Sequence, residues 1–284
     1  HLTGQTPIYL DYINLKSNWK SPASWRAMGK KLQAFLTETR PDVVLCNSLW
    51  STIATRRQLQ NHGIPQIGVI HAAIQPKRKD KQIVFKLAGS LITGKIDGWI
   101  TVSQKLAKQL EDLKIPRETI RIIPNGVQLP VSTQLVNDGQ WRTRLKIPAD
   151  GIVVAALGRI HPGKGQAELI KAFKLVAQEH EKIYLVVTGE EVVDPDEEKL
   201  FTRELENYIV QNNLTSRVFL TGFVEDATAI LNEVDIVASA SREESFGLAV
   251  LEGMAAGRAI VATDIAGHCD LIDHEINGML IPLD

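Results

Sequence analysis

Two carboxylates, Glu244 and Glu252, stand in the stretch Ser241-Arg242-Glu243-Glu244-Ser245-Phe246-Gly247-Leu248-Ala249-Val250-Leu251-Glu252-Gly253. The apolar run Val234–Ala240 before it reads as a buried strand, and Leu248–Ala256 after it reads as a helix closed by Gly257. Glu244 and Ser245 therefore fall in the loop at a strand's carboxyl end. Phe246 and Gly247 open the helix, and Glu252 follows about two turns on. Free N–H groups at a helix start favour an anion, and carboxylates favour hydroxyls. A phosphate and sugar hydroxyls together suit a sugar nucleotide. The same spacing also fits an ordinary surface Glu pair beside a strand–helix turn.

A second stretch, Gly158-Arg159-Ile160-His161-Pro162-Gly163-Lys164-Gly165, also follows an apolar strand and opens a helix. It nearly spells the phosphate loop of nucleotide hydrolases, but Gly165 replaces the hydroxyl residue that holds magnesium there. Arg159 and Lys164 can instead neutralise a diphosphate directly, one by its fork and the other as a point charge. The plainer reading is a glycine-rich turn with two solvated cations. Asp194-Pro195-Asp196 has the form of a metal-binding Asp-x-Asp, but Glu197 and Glu198 follow it. Such an acidic run suits a helix start, and we assign it there.

These residues need elements to hold them, and the elements alternate. Strands are expected at Pro7–Tyr12, Pro41–Cys46, Gln66–Ile70, Gly98–Val102 and Ile120–Ile123, with helices at Ser24–Thr37 (Ser24 as cap), Ser51–Asn61, 81–93 and Gln104–Leu113. Residues 128–148 break the rhythm with Pro130, Asn137, Asp138, Gly139 and Pro148. Alternation then resumes, with strands at Val153–Leu157, Ile183–Val187, Val218–Leu220, Val234–Ala238, Ile260–Ala262 and Met279–Ile281, and helices at 166–178 and 196–212. Such order predicts an α/β protein with mostly parallel sheets. We expect two doubly wound, Rossmann-like domains, 1–130 and 149–284, joined by a linker at 131–148. Their strands' carboxyl ends would line a cleft.

The 284-residue chain carries a net charge of −1, yet its halves differ. Residues 1–148 hold 22 Lys+Arg and 9 Asp+Glu; the remainder holds 10 and 24. The basic half suits an anionic lipid surface, a phosphorylated acceptor or nucleic acid, or merely attracts the acidic half. Around 77–92, five Lys or Arg residues surround an apolar stripe, which packs on its own sheet or lies on anionic lipid. No run reaches the length of a membrane span. The two cysteines, Cys46 and Cys269, have no metal or disulfide spacing and read as reduced thiols of a cytoplasmic protein.

Gly158-Arg159 through Lys164-Gly165, then Phe219-Leu220-Thr221-Gly222-Phe223-Val224, then Asp235 with Glu244 and Glu252, then Met254–Thr263, resemble the retaining glycosyltransferases of family 4 and their two-domain GT-B fold. The match covers roughly 150–284. The amino half is similar more loosely, through Arg40–Val44, Val69-Ile70-His71, Val102-Ser103 and Ile123–Val127. Departures include Ala240 and Ala259 for proline, Ser245 for glycine, Ala266-Gly267 for a glycine pair, Asp270 for Glu, and Gln128 for Asp.

The resemblance implies sugar transfer, with retention and without metal or cofactor, from a nucleoside diphosphate sugar, UDP- or GDP-linked. A glycan or lipid-linked acceptor would receive it, with no role for nucleic acid. Arg159 and Lys164, with the backbone at Gly158, would hold the diphosphate. Glu244 would bind the donor sugar, with Ser245 beside it, and Glu252 the ribose. The N–H groups of Phe246, Gly247 and Leu248 would meet sugar or phosphate oxygens. Phe223 and Val224 would line the base pocket, and His71 would face the acceptor. The family's first strand and last helices have no counterpart between His1 and Asp284, which implies a fragment that binds nucleotide weakly and does not turn over alone. A second reading is a catalytically silent nucleotide-sugar-binding module on the same fold.

Overall fold

The computed structural model describes residues 22–74, 96–128, 139–190, 195–225 and 227–283. The strand expected at Pro7–Tyr12, the helix at 81–93, the basic segment 77–92 and Asp194 lie outside the described residues. The chain divides into two compact units, His1–Thr101 with Leu106–Ile122, and Val102–Lys105 with Ile123–Asp284.

In the first unit four parallel strands run in the order β1 (Val44–Cys46), β2 (Gln66–Ile70), β3 (Gly98–Thr101), β4 (Ile120–Ile122). The described helices are α1 (Pro22–Thr39), α2 (Leu49–Asn61) and α3 (Gln104–Asp112). Ser24 is not a cap: α1 begins at Pro22, where a proline fits the first turn. Ser48 caps α2 instead, its Oγ accepting from the Ser51 N–H at 3.0 Å. Leu32 and Leu36 of α1 pack with Cys46 and Leu59, so one of the two thiols is simply core.

The second unit holds six parallel strands in the order β10-β9-β8-β5-β6-β7. They are β5 (Ile152–Leu157), β6 (Ile183–Thr188), β7 (Val218–Gly222), β8 (Ile236–Ser239), β9 (Ala259–Thr263) and β10 (Met279–Ile281). Its helices are α4 (Gln140–Arg144), α5 (Gln166–Glu179), α6 (Pro195–Gln211), α7 (Ala227–Leu231), α8 (Leu248–Ala255) and α9 (Ala266–Cys269). Strand period two divides the core. Val154 and Ala156 join Ile170, Phe173, Leu205 and Ile209 on one face, while Val153 and Ala155 join Ile230, Val250 and Ile260 on the other. Both faces are covered, which is why β5 and β6 read as unbroken apolar runs. The order reverses between β5 and β8, and such a switch point opens a crevice at the strands' carboxyl ends.

Part of the expected linker 131–148 is a helix. Trp141 and Leu145 of α4 pack on the second unit's core, and Arg142 ties α4 to the start of β8. Its guanidinium donates to the carbonyls of Glu233 (3.0 Å) and Gly151 (2.7 Å) and to Asp235 Oδ2 (3.1 Å). The buried Glu233 carboxylate accepts in turn from the Trp141 and Arg142 N–H groups at 3.1 and 2.8 Å. Asp235 also accepts from Val153 N–H at 2.7 Å, so this motif residue braces the sheet at the end opposite the crevice. Arg142→Ala should lower unfolding stability by about 2–3 kcal/mol. That is less than the 3–5 of a fully buried pair, because Asp235 keeps half its side chain in water. Urea titration measures the loss, and nucleotide affinity should stay unchanged.

Candidate functional site

Two loops leave the sheet at the switch point, Gly158–Gly165 after β5 and Ala240–Gly247 after β8. They are bonded main chain to main chain: the Arg242 N–H donates to the Gly163 carbonyl at 3.0 Å. Gly165 (φ +68°) lies so close that a Cβ there would fall 1.9 Å from the Ala240 carbonyl oxygen. Gly189 (φ +153°), just after β6, meets the Gly158 carbonyl oxygen in the same way. Only glycine permits these approaches at such φ. Outside this frame Arg242 pairs with Glu168 of α5 at 2.8 Å.

The first loop contains a 3-10 turn, Pro162–Lys164, capped by His161, whose Nδ1 accepts from the Gly163 N–H at 2.9 Å. Buried Gln166 donates to the Arg159 carbonyl at 2.8 Å, so the main chain behind Arg159 is fixed while its side chain is exposed. The Arg159 guanidinium has no hydrogen-bond or ion-pair partner among the described residues. Lys164 points across to the second loop, and its Nζ donates to Glu244 Oε2 at 2.5 Å, both groups mostly shielded from water. The two stretches singled out in the sequence thus meet in one ion pair.

Helix α8 begins at Leu248, as the pattern Leu248–Ala256 predicts, and Gly247, in a left-handed conformation (φ +98°), is its N-cap. Phe246 is buried and Leu248 exposed. Ser245 is half-buried. Glu252 sits half-buried on α8, and burial raises its carboxyl above the ordinary range; no hydrogen bond satisfies it among the described residues. Gly158 (φ +132°) donates its N–H to the Thr188 carbonyl at 3.0 Å. Phe223 (exposed) and Val224 (half-buried) follow β7 at the same carboxyl edge of the sheet. His71 is exposed immediately after β2, in the other unit.

Sequence reasoning missed His268. It lies in the four-residue α9 and is wholly buried. Burial pushes its pKa below the usual range; the Thr263 carbonyl and the Glu244 charge act the other way, and Lys164 adds to the lowering. A lone His in a loop carries no signal of its own. Its neighbours Ser239, Ser241 and Thr263, all at strand ends, were the available clue. Cys269 bonds Asp264 at 2.9 Å, and burial with the adjacent Asp264 and Asp270 pushes its thiol up to about 11, unsuited to nucleophilic work at neutral pH. Among the described residues no three His, Cys, Asp or Glu groups could hold a metal ion, and no helix is long and apolar enough to cross a membrane.

The chain is 25% identical over 263 residues to the Escherichia coli UDP-Gal:alpha-D-GlcNAc-diphosphoundecaprenol alpha-1,3-galactosyltransferase, covering 89% of this chain and 65% of that protein. It is 29% identical over 173 residues to the D-inositol 3-phosphate glycosyltransferase of Jonesia denitrificans, covering 58% of this chain and 40% of that protein. The chain therefore spans less than two thirds of the length of these relatives. Among solved structures, Anabaena Alr3699/HepE in complex with UDP and glucose superposes with a TM-score of 0.76 at 23% identity, covering 90% of this chain and 67% of that one. Sucrose-phosphate synthase from Thermosynechococcus elongatus gives 0.74 at 21%, covering 96% and 67%. These likenesses give the GT-B fold. The model of glycosyl transferases group 1 matches residues 151–284, where both site loops lie, and that of glycosyltransferase family 4 matches 3–130. Taken with the paired loops at the switch point, the two matches make the chain a member of glycosyltransferase family 4.

Proposed function

We propose that this chain belongs to an enzyme that transfers a hexose, with retention of configuration, from a nucleoside diphosphate sugar to a glycan or lipid-linked acceptor. The observation that carries this is the Lys164–Glu244 pair at the mouth of the switch point, with the exposed Arg159 on the same loop. The anomeric C–O bond breaks with its electrons on the departing diphosphate, so negative charge grows there as the barrier is crossed. Fixed cations at that point stabilise the transition state more than the ground state. Arg159 and Lys164 supply them, joined by the free N–H groups opening α8. Glu244 orients the donor sugar, and unsatisfied Glu252 accepts from the ribose hydroxyls. Phe223 and Val224 flank the base, and His71 serves the acceptor.

A uridine donor is favoured by the relatives: the E. coli protein is described as acting with UDP-Gal, and the Anabaena structure holds UDP and glucose. The diphosphoundecaprenol in the E. coli relative's name favours a lipid-linked acceptor. An acceptor of that kind sits well with anionic-lipid contact through 77–92. The silent-module reading is disfavoured because Arg159, Lys164, Glu244 and Glu252 are all retained.

The test is a thermal-shift screen of UDP, GDP, ADP and their sugars, followed by donor hydrolysis in the intact protein. A ligand at 100 times its Kd stabilises by about 2.7 kcal/mol, so the base that binds is identified directly. We expect UDP to shift the melting temperature most. No shift with any nucleotide would overturn the reading, and binding without hydrolysis or transfer would restore the silent module.

A further inference from the structure

His268 is a wholly buried titratable side chain that the mechanism above does not use. Its Nδ1 lies 2.8 Å from the Thr263 carbonyl oxygen, which can only accept, so Nδ1 carries the proton. Nε2 of the neutral ring is then an acceptor, and it faces Ser239 Oγ at 3.2 Å. Ser239 ends β8 and Thr263 ends β9, so the imidazole bridges the carboxyl ends of two neighbouring strands. Thr263 completes the brace by donating its hydroxyl to the Ser241 carbonyl at 2.6 Å, where the Glu244 loop begins.

The far end of that loop rests on the same residue. A Cβ on Gly247, the N-cap of α8, would sit 3.0 Å from His268 Cδ2. Between the two supports, a Cβ on the adjacent Gly267 would lie 2.6 Å from the Glu244 carbonyl oxygen. The middle of the loop and its exit into α8 are therefore seated on Gly267 and His268, and its entry is held through Thr263, which His268 bonds. In the first loop, the main chain at Arg159 is held by Gln166, which does not touch His268.

We propose that His268 is a positioning residue for the donor sugar, setting the Ser241–Gly247 loop and so the place of the Glu244 carboxylate without touching substrate. This rests on the reading that Glu244 binds the donor sugar. It separates two contributions to affinity, because Arg159 and Glu252, the side chains assigned to the nucleotide alone, lie outside the Ser241–Gly247 loop.

The experiment measures the dissociation constants of UDP, UDP-glucose and UDP-galactose by calorimetry for the wild type and two variants. His268→Leu fills the space without either hydrogen bond, and His268→Asn keeps a donor for the Thr263 carbonyl. In His268→Leu we expect UDP affinity within about twofold of wild type and UDP-sugar affinity roughly tenfold weaker. That is the scale of one net hydrogen bond to a charged group. His268→Asn should recover most of the loss. Equal loss of UDP and UDP-sugar would make His268 part of the core only and overturn the proposal. So would His268→Leu with the wild-type ratio, or His268→Asn no better than His268→Leu. A wild type that binds none of the three overturns the reading of the site itself, and the proposal with it.

Discussion

Replacing Lys164 with alanine is expected to slow sugar transfer in the intact protein by roughly 10²–10³-fold, the loss typical of one electrostatic stabiliser. Arg159→Ala should cost a similar factor. The two cations differ in the free protein, since Lys164 is engaged with Glu244 at 2.5 Å while Arg159 is exposed. The diphosphate must therefore share or displace one partner and meets the other unengaged. Lys164 and Glu244 are in contact, so a Lys164→Ala/Glu244→Ala double variant should lose less than the product of the single effects. Glu244→Ala alone should depress turnover and leave nucleoside diphosphate affinity nearly intact, because that ligand carries no donor sugar. Steady-state rates measured with and without excess chelator should agree. A rate abolished by chelator, or an unchanged kcat in Lys164→Ala, would end the metal-free diphosphate account.

Glu252 gives the second large effect, and it acts in two opposite directions. Burial holds its carboxyl above the ordinary glutamate value of 4.5 in the folded protein. The folded protein thus holds the proton more tightly than the unfolded chain. Stability falls as pH rises from about 4.5 through the raised value. Glu252→Gln should therefore raise the melting temperature of the empty protein at pH 7, and the gain should shrink towards pH 4.5. Glu252→Ala should meanwhile weaken nucleoside diphosphate binding by roughly 10–100-fold, as hydrogen bonds to a charged acceptor are lost. Little change in kcat is expected, because a ribose contact is equal in ground and transition states. Unchanged melting and unchanged affinity together would remove Glu252 from the site. A higher melting temperature together with weaker nucleotide binding would be the signature of a group kept for binding at the expense of stability.

The elements that carry the site were legible because their signals are local. Gln66–Ile70 and Met279–Ile281 form strands at the expected bounds, and α5 and α6 run within a residue of expectation. The four- and five-residue helices α4, α7 and α9 were not legible, since one turn has no measurable period and is held by tertiary bonds such as Arg142 to Glu233. At the site, the charges and glycines declared themselves by type and spacing. The Lys164–Glu244 contact joins residues 80 positions apart, and pattern along the chain could not supply it. Gln166 and His268 were invisible for a related reason. Each matters through main-chain atoms it holds, and those atoms have no residue type.

The bond from Arg242 N–H to the Gly163 carbonyl and the glycine seat against Ala240 join the two loops without any side chain. Such a joint is indifferent to most substitutions on the loops themselves. Ser245, half-buried beside Glu244, is then free to vary without disturbing where Lys164 stands. If Ser245 borders the donor sugar as proposed, that position can change the fit to the sugar while the charge-bearing frame is kept. The glycines at 165 and 189 mark the opposite limit, where any side chain would break the frame before it could change a preference. Evolvability and constraint are thus laid side by side within a few residues.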